Sequence, residues 1–257
     1  MMLQRIGTIA ENTIREAVRN RLLYTLLFFA VALIGTGVLV SNLSYVEGER
    51  ILQDVGLAAI RLMSVGIGTF VGVGLIHGEI ERRTLYTILS KPVSRVEFLL
   101  GKYLGLVLTT WLMLVVMGIA FAGVSLGYGA PLDGGHVTAF GLIAIELVVM
   151  IAVATLFSAF TTPVLASLFT VGVYLLGHLS RDLRQLGEQA QNGSLEPLAN
   201  LLFEVLPDLE SFNVTISAVH QLPIPPGETL SAVVYGLGYA ALVLALASYL
   251  FARRDFR

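Results

Sequence analysis

Cysteine is absent from the 257 residues, which excludes disulfides, thiolate metal sites and cysteine nucleophiles. Charge is scarce too. Asp, Glu, Lys and Arg make up 13% of the chain, where a soluble domain carries about 25%. The net charge is −2 and no basic run is long enough to hold nucleic acid, so no nucleic-acid partner is expected. The four histidines, His77, His136, His178 and His220, are scattered without HExxH or paired-ligand spacing, and no metal site is expected. A nucleotide-binding loop is missing as well: Gly101-Lys102 is followed by Tyr103 and lacks the earlier glycine of a P-loop. No Ser/His/Asp or paired-carboxylate arrangement stands out. The chain reads as non-catalytic, and any energy it uses comes from a partner.

What the chain has is apolar length. Hydrophobic residues reach 56% and the mean hydropathy is +0.81. A soluble globule cannot bury that much apolar surface and still cover itself, so the expected solvent is lipid. About 20 apolar residues cross a bilayer core, and the uncharged runs give six spans: 22–41, 56–78, 103–125, 138–159, 163–179 and 229–252. The fourth and fifth come from one long run divided at Thr161-Thr162-Pro163. The expected fold is an all-α polytopic membrane protein, a single domain over 1–257. Gly68-x-x-x-Gly72 and Gly74-x-x-x-Gly78 mark the second span as one that neighbours approach closely.

Twelve of the sixteen Lys and Arg residues fall on one side, at the two ends of the chain and between spans two and three. Arg50, Arg61, Arg181 and Arg184 fall on the other. The bias puts both termini in the cytoplasm. The first 21 residues carry Glu11 and Glu16 and no cleavage pattern, unlike a secretory signal. Ile6, Ile9, Ala10, Ile14, Ala17 and Val18 recur at helical spacing, as in an amphipathic helix lying in the inner interface. A solvated leader fits the same residues.

Residues 79–102 form the charged cytoplasmic region. Glu79, Glu81, Arg82 and Arg83 open a short helix with Leu85, Ile88 and Leu89 on one side, and Ser90-Lys91-Pro92 closes it. Such a helix can lay its apolar face into a groove of another protein, and an ordinary solvated loop accounts for the residues equally. Two charges lie inside the spans, Arg61 and Glu146, at depths of roughly 9 and 12 Å from the outer side. They can pair. Alternatively Arg61 snorkels outward, and Glu146 is protonated or hydrogen-bonded within the bundle.

Residues 77–105 resemble the coupling region of ATP-binding-cassette type-2 (ABC-2) permeases, whose pattern is E-x-E-x-G-T, then L-L-S-x-P-V-S-R, then G-K. The matching residues are Glu79, Glu81, Thr84, Leu89, Ser90, Pro92, Val93, Ser94, Arg95, Gly101 and Lys102. Arg83 stands where the family has glycine. The opening ENTIREAVRNRLLYTLLFF is similar to the family's elbow helix and first span, and the ending FARRDFR also fits. LLFEVLPDLESFN (201–213) resembles the outer segment before the sixth span in the subgroup that includes the nitrous-oxide-reductase maturation permease.

The resemblance implies an inner-membrane permease subunit that pairs with a second copy or a related permease and docks two ABC ATPase subunits. ATP and Mg²⁺ would sit on the ATPase, with no cofactor on this chain. Leu85, Ile88 and Leu89 would pack into the ATPase cleft, with Glu79, Glu81, Arg82 and Arg83 fixing orientation. The extracytoplasmic loop, 180–228, would hold interfacial helices that cap the outer side, one starting at Ser194 with Leu198, Leu201, Leu202, Val205 and Leu206 on its apolar face. Three functions compete: an exporter permease; a subunit that passes ATP-driven motion to an extracytoplasmic partner without moving substrate; and a stand-alone secondary transporter or channel. The spans carry no row of charges that would name a substrate. Their apolar walls suit a lipid or an amphipathic drug.

Overall fold

A computed structural model describes residues 2–44, 47–81, 94–189 and 195–253. The described residues are helical, without strands. In chain order the elements are α1 (Met2–Val18), α2 (Arg21–Ser41), α3 (Gly48–Gly66), a π-helical turn (Ile67–Val71) and α4 (Gly72–Glu81). Then come α5 (Arg95–Tyr128), α6 (Gly134–Phe160), α7 (Pro163–Gln189), α8 (Leu195–Val205), a 3₁₀ turn (Leu209–Phe212), α9 (Thr215–Val219) and α10 (Pro226–Arg253). Among the described residues, six helical stretches are long and apolar enough to cross a membrane: Arg21–Ser41, Gly48–Gly78, Arg95–Tyr128, Gly134–Phe160, Pro163–Gln185 and Pro226–Arg253.

Local chemistry sets the helix ends. The Ser94 hydroxyl accepts the Glu97 N–H at 3.1 Å while the Glu97 carboxylate accepts the Ser94 N–H at 2.8 Å, a reciprocal cap that starts α5 at Arg95. Residues 95–102, which the charge pattern assigns to the cytoplasmic region, are therefore the first two turns of the third span. At the far end Gly129 takes φ 91°, the left-handed geometry that closes a helix, and Asp133 caps α6 four residues later. Pro163 begins α7 after a two-residue break, where its missing N–H costs nothing. α3 begins at Gly48, eight residues before the expected start of the second span at 56, and α7 runs to Gln189, ten beyond the expected end of the fifth.

α6 is the centre of the bundle. It touches α10, α5, α7, α4 and the outer segments, and most of its apolar span is buried. The stretches in α2, α7 and α10 are only 22%, 22% and 28% buried, and they expose Phe28, Phe29, Leu168 and Leu242. Apolar outside with charge inside is the arrangement for lipid solvent. α1 lies along α5, burying Ile6, Ala10, Thr13 and Ala17. Glycine makes that approach possible: a Cβ on Gly105 would stand 2.6 Å from Thr13 Cβ and 2.7 Å from the Ala10 carbonyl oxygen. After α8 the chain turns back into the bundle, where Leu209 and Phe212 are fully buried.

Candidate functional site

A chain of polar contacts runs from the middle of the bundle to the segment around Glu210. Arg61, on α3, and Glu146, on α6, are both buried, with Nε and Oε2 3.3 Å apart. That contact is an ion pair without hydrogen-bond geometry. The guanidinium bonds elsewhere: Nη2 donates to the Phe212 carbonyl at 3.2 Å. The second oxygen of Glu146, Oε1, lies 3.0 Å from Nε2 of His178 on α7. Nδ1 of the same ring lies 3.2 Å from Oε2 of Glu210 in the 3₁₀ turn, and Asn213 Nδ2 donates to Glu210 Oε1 at 2.9 Å. Tyr174, one turn before His178, meets the imidazole edge-on at 4.8 Å between centroids.

Helix positions explain the meeting. Arg61 lies thirteen residues from Gly48 and Glu146 twelve from Gly134, so both are about 18–20 Å along helices that start at the same end of the bundle. Both charges are thus more than three turns inside their helices. An isolated charge at such depth costs about 2.5–3.5 kcal/mol on insertion scales. Contact with an opposite charge and with a carbonyl offsets part of that cost. Arg61 is turned into the bundle and does not snorkel to the outer surface. Burial pushes the Glu210 carboxyl up, but the hydrogen bonds from His178 and Asn213 outweigh it and hold the group below its ordinary value.

Glu210 also lines a cavity of about 860 Å³, with Arg181, Asp208, Glu228, Tyr235 and Tyr239 among the other walls. Arg181 holds Asp208 through two contacts, 3.0 and 2.6 Å. The Tyr235 hydroxyl accepts the Asp208 N–H, and the Tyr239 hydroxyl donates to the Val205 carbonyl. Among the described residues no group of three His, Asp or Glu side chains is placed to hold a metal ion.

The opposite end of the bundle, which holds both chain termini, is built differently. Glu79 and Glu81 lie in the last turns of α4. Arg82, Arg83, Thr84, Leu85, Ile88, Leu89, Ser90 and Pro92 lie outside the described residues. Arg95 opens α5 and donates from Nη1 to the Ala252 carbonyl at 3.2 Å, tying α5 to the end of α10. Two turns on, the buried Lys102 ammonium meets Glu16 of α1 at 2.9 Å, and Arg5 of α1 lies 3.8 Å from Glu97. The helix that follows the charged region is therefore fastened to both ends of the chain.

His178, Glu210 and the Lys102–Glu16 pair are functional candidates beyond those read from the sequence. Lone polar residues in apolar runs are the available signal for His178, which lies sixteen residues into α7. Nothing in the spacing announces that Glu210 folds back to meet it.

A family model described as "ABC-2 family transporter protein" matches residues 7–256. A search of curated proteins finds no match.

Proposed function

Because the chain belongs to the ABC-2 family of transporter proteins, we propose that this transmembrane ABC transporter subunit is the permease of an export complex in the inner membrane. It works with an ATPase carried on separate subunits. The family match over nearly the whole chain carries the reading. Residues 79–102 dock the ATPase, with Leu85, Ile88 and Leu89 as packing residues and Glu79, Glu81, Arg82, Arg83 and Arg95 around them. ATP and Mg²⁺ bind the ATPase. A second copy of this chain completes the membrane portion, and both termini face the cytoplasm.

The fastening of α5 to α1 and α10 supports a mechanical role for that region. A push delivered ahead of Ser94 meets a helix capped at its start and held by Arg95, Glu97 and Lys102. It is then carried along 34 residues of continuous helix to Tyr128. A helix of that length spans about 51 Å, the full thickness of a bilayer with its interfaces.

A second reading keeps the ATPase but transmits motion to an extracytoplasmic partner without moving substrate. The ionic chain favours it in one respect: it links three spans to an outer segment. A stand-alone transporter or channel is disfavoured by the family match. Co-purification tests the proposal. An ATPase subunit is expected with the tagged chain, and stimulation of its hydrolysis by an added lipid or drug selects export over force transmission.

A further inference from the structure

His178 has a carboxylate oxygen within hydrogen-bond distance of each ring nitrogen, Glu146 at 3.0 Å and Glu210 at 3.2 Å. An ionised carboxylate only accepts, and a neutral imidazole has one N–H. Both contacts are hydrogen bonds only when the three groups together hold one proton beyond that N–H. The charge balance points the same way: with His178 as imidazolium, two cations (Arg61 and His178) face two anions (Glu146 and Glu210). Without that proton the cluster carries a net negative charge, and one carboxylate faces a nitrogen lone pair in a largely buried place.

Among the described residues the surroundings supply no substitute cation. On α7 itself Tyr174 meets the ring edge-on, and Arg181, one turn beyond His178, is paired with Asp208. The π-helical turn has no ionisable residue. On α10, Tyr235 and Tyr239 are engaged with the Asp208 N–H and the Val205 carbonyl. Glu204 of α8 lines the same cavity as Glu210. That cavity gives the cluster a route to the external solution through Glu210, and the His178 side chain is itself 18% exposed.

We propose that His178, Glu146 and Glu210 form a proton-binding site that latches the outer segment, residues 209–219, onto the spans. One proton taken up from the outside closes the latch. Its loss to water or hydroxide in the cavity removes the Glu210 bridge and frees the segment. The site links the outer face of the transporter to external pH whatever drives the cytoplasmic side.

The test uses the full chain in membranes, with any ATPase partner in place. Val219→Cys is a buried reporter on α9 (3% exposed) and Leu222→Cys an exposed reference (52% exposed). Their maleimide rates are compared from about pH 6 to about pH 10. In the parent the ratio of buried to exposed rates rises roughly tenfold or more as the latch opens. In His178→Gln, whose side chain does not ionise, the ratio is high throughout. Glu210→Gln acts in the opposite direction: its amide donates to the unprotonated ring, so the ratio stays low into alkali. A ratio that follows one pH course in the parent and in Glu210→Gln overturns the proposal, even if His178→Gln fails to insert.

Discussion

Arg61 and Glu146 are separated by 85 positions in sequence and by 3.3 Å in space, both enclosed by the bundle. Each holds something else as well: Arg61 the Phe212 carbonyl, Glu146 the His178 ring. Glu146→Gln is expected to destabilise the protein by about 3–5 kcal/mol, the cost of leaving a buried partner charge uncompensated. Arg61→Gln in that background should add far less than it does alone. A double-mutant cycle in thermal stability should give a coupling of about 1–3 kcal/mol. Additive losses would show that the two charges are held by their other partners and not by each other.

The seat of α1 rests on small residues of α5. A methyl on Gly105 would meet the Ala10 backbone, which cannot rotate away, and one on Gly101 would stand 2.6 Å from Ile9 Cβ. Gly105→Ala should therefore lift α1, costing about 1–3 kcal/mol and opening residues 2–18 to protease. Gly74→Ala, with nothing within 4 Å of the added carbon, should change stability by no more than about 0.5 kcal/mol. Equal effects at the two positions would contradict the packing.

Legibility follows from what each signal encodes. The six spans are readable because runs such as LLYTLLFFAVALIGTGVLV have no stable place in water. The start of α3 is not carried by the apolar run: Glu49, Arg50 and Asp54 lie ahead of it, yet Leu52, Gln53 and Leu57 are buried on one side of the helix. Ser94-x-x-Glu97 carries the start of α5 openly, as a capping pattern. The meeting of Arg61 with Glu146 follows from similar depth, but facing decides contact, and facing is not written in composition. Glu210 was unreadable for another reason. Its approach to His178 depends on the chain turning back after Pro207, a tertiary choice with no period.

Acid should loosen the end of the bundle that holds Asp133 and Glu210. The side-chain hydrogen bond with His136 holds Asp133 below its ordinary value near 3.8, and Glu210 is held below its value near 4.5. Groups depressed in the folded state contribute stability that is present above the ordinary value and lost as pH falls through the folded one. The melting temperature should drop below about pH 4. Asp133→Asn, which keeps a capping oxygen but not the charge, should lose that contribution at neutral pH and make the acid drop shallower. An unchanged acid slope would count against the assignment.

Orientation is testable on a background without native cysteine. A cysteine at Leu222 should react with an impermeant maleimide in intact cells, and one at Ala252 only after lysis. The reverse pattern would invert the topology.

The account turns on whether the segment between Glu81 and Ser94 grips an ATPase. Leu89→Asp places a charge on the apolar face proposed to enter the ATPase cleft, where no partner awaits it. The measurement is recovery of ATPase with the tagged chain from detergent-solubilised membranes, at matched levels of inserted protein. The parent should bring down a nucleotide-hydrolysing subunit, and Leu89→Asp should insert normally and lose it. A complex recovered from Leu89→Asp at the parent's yield would contradict the coupling role.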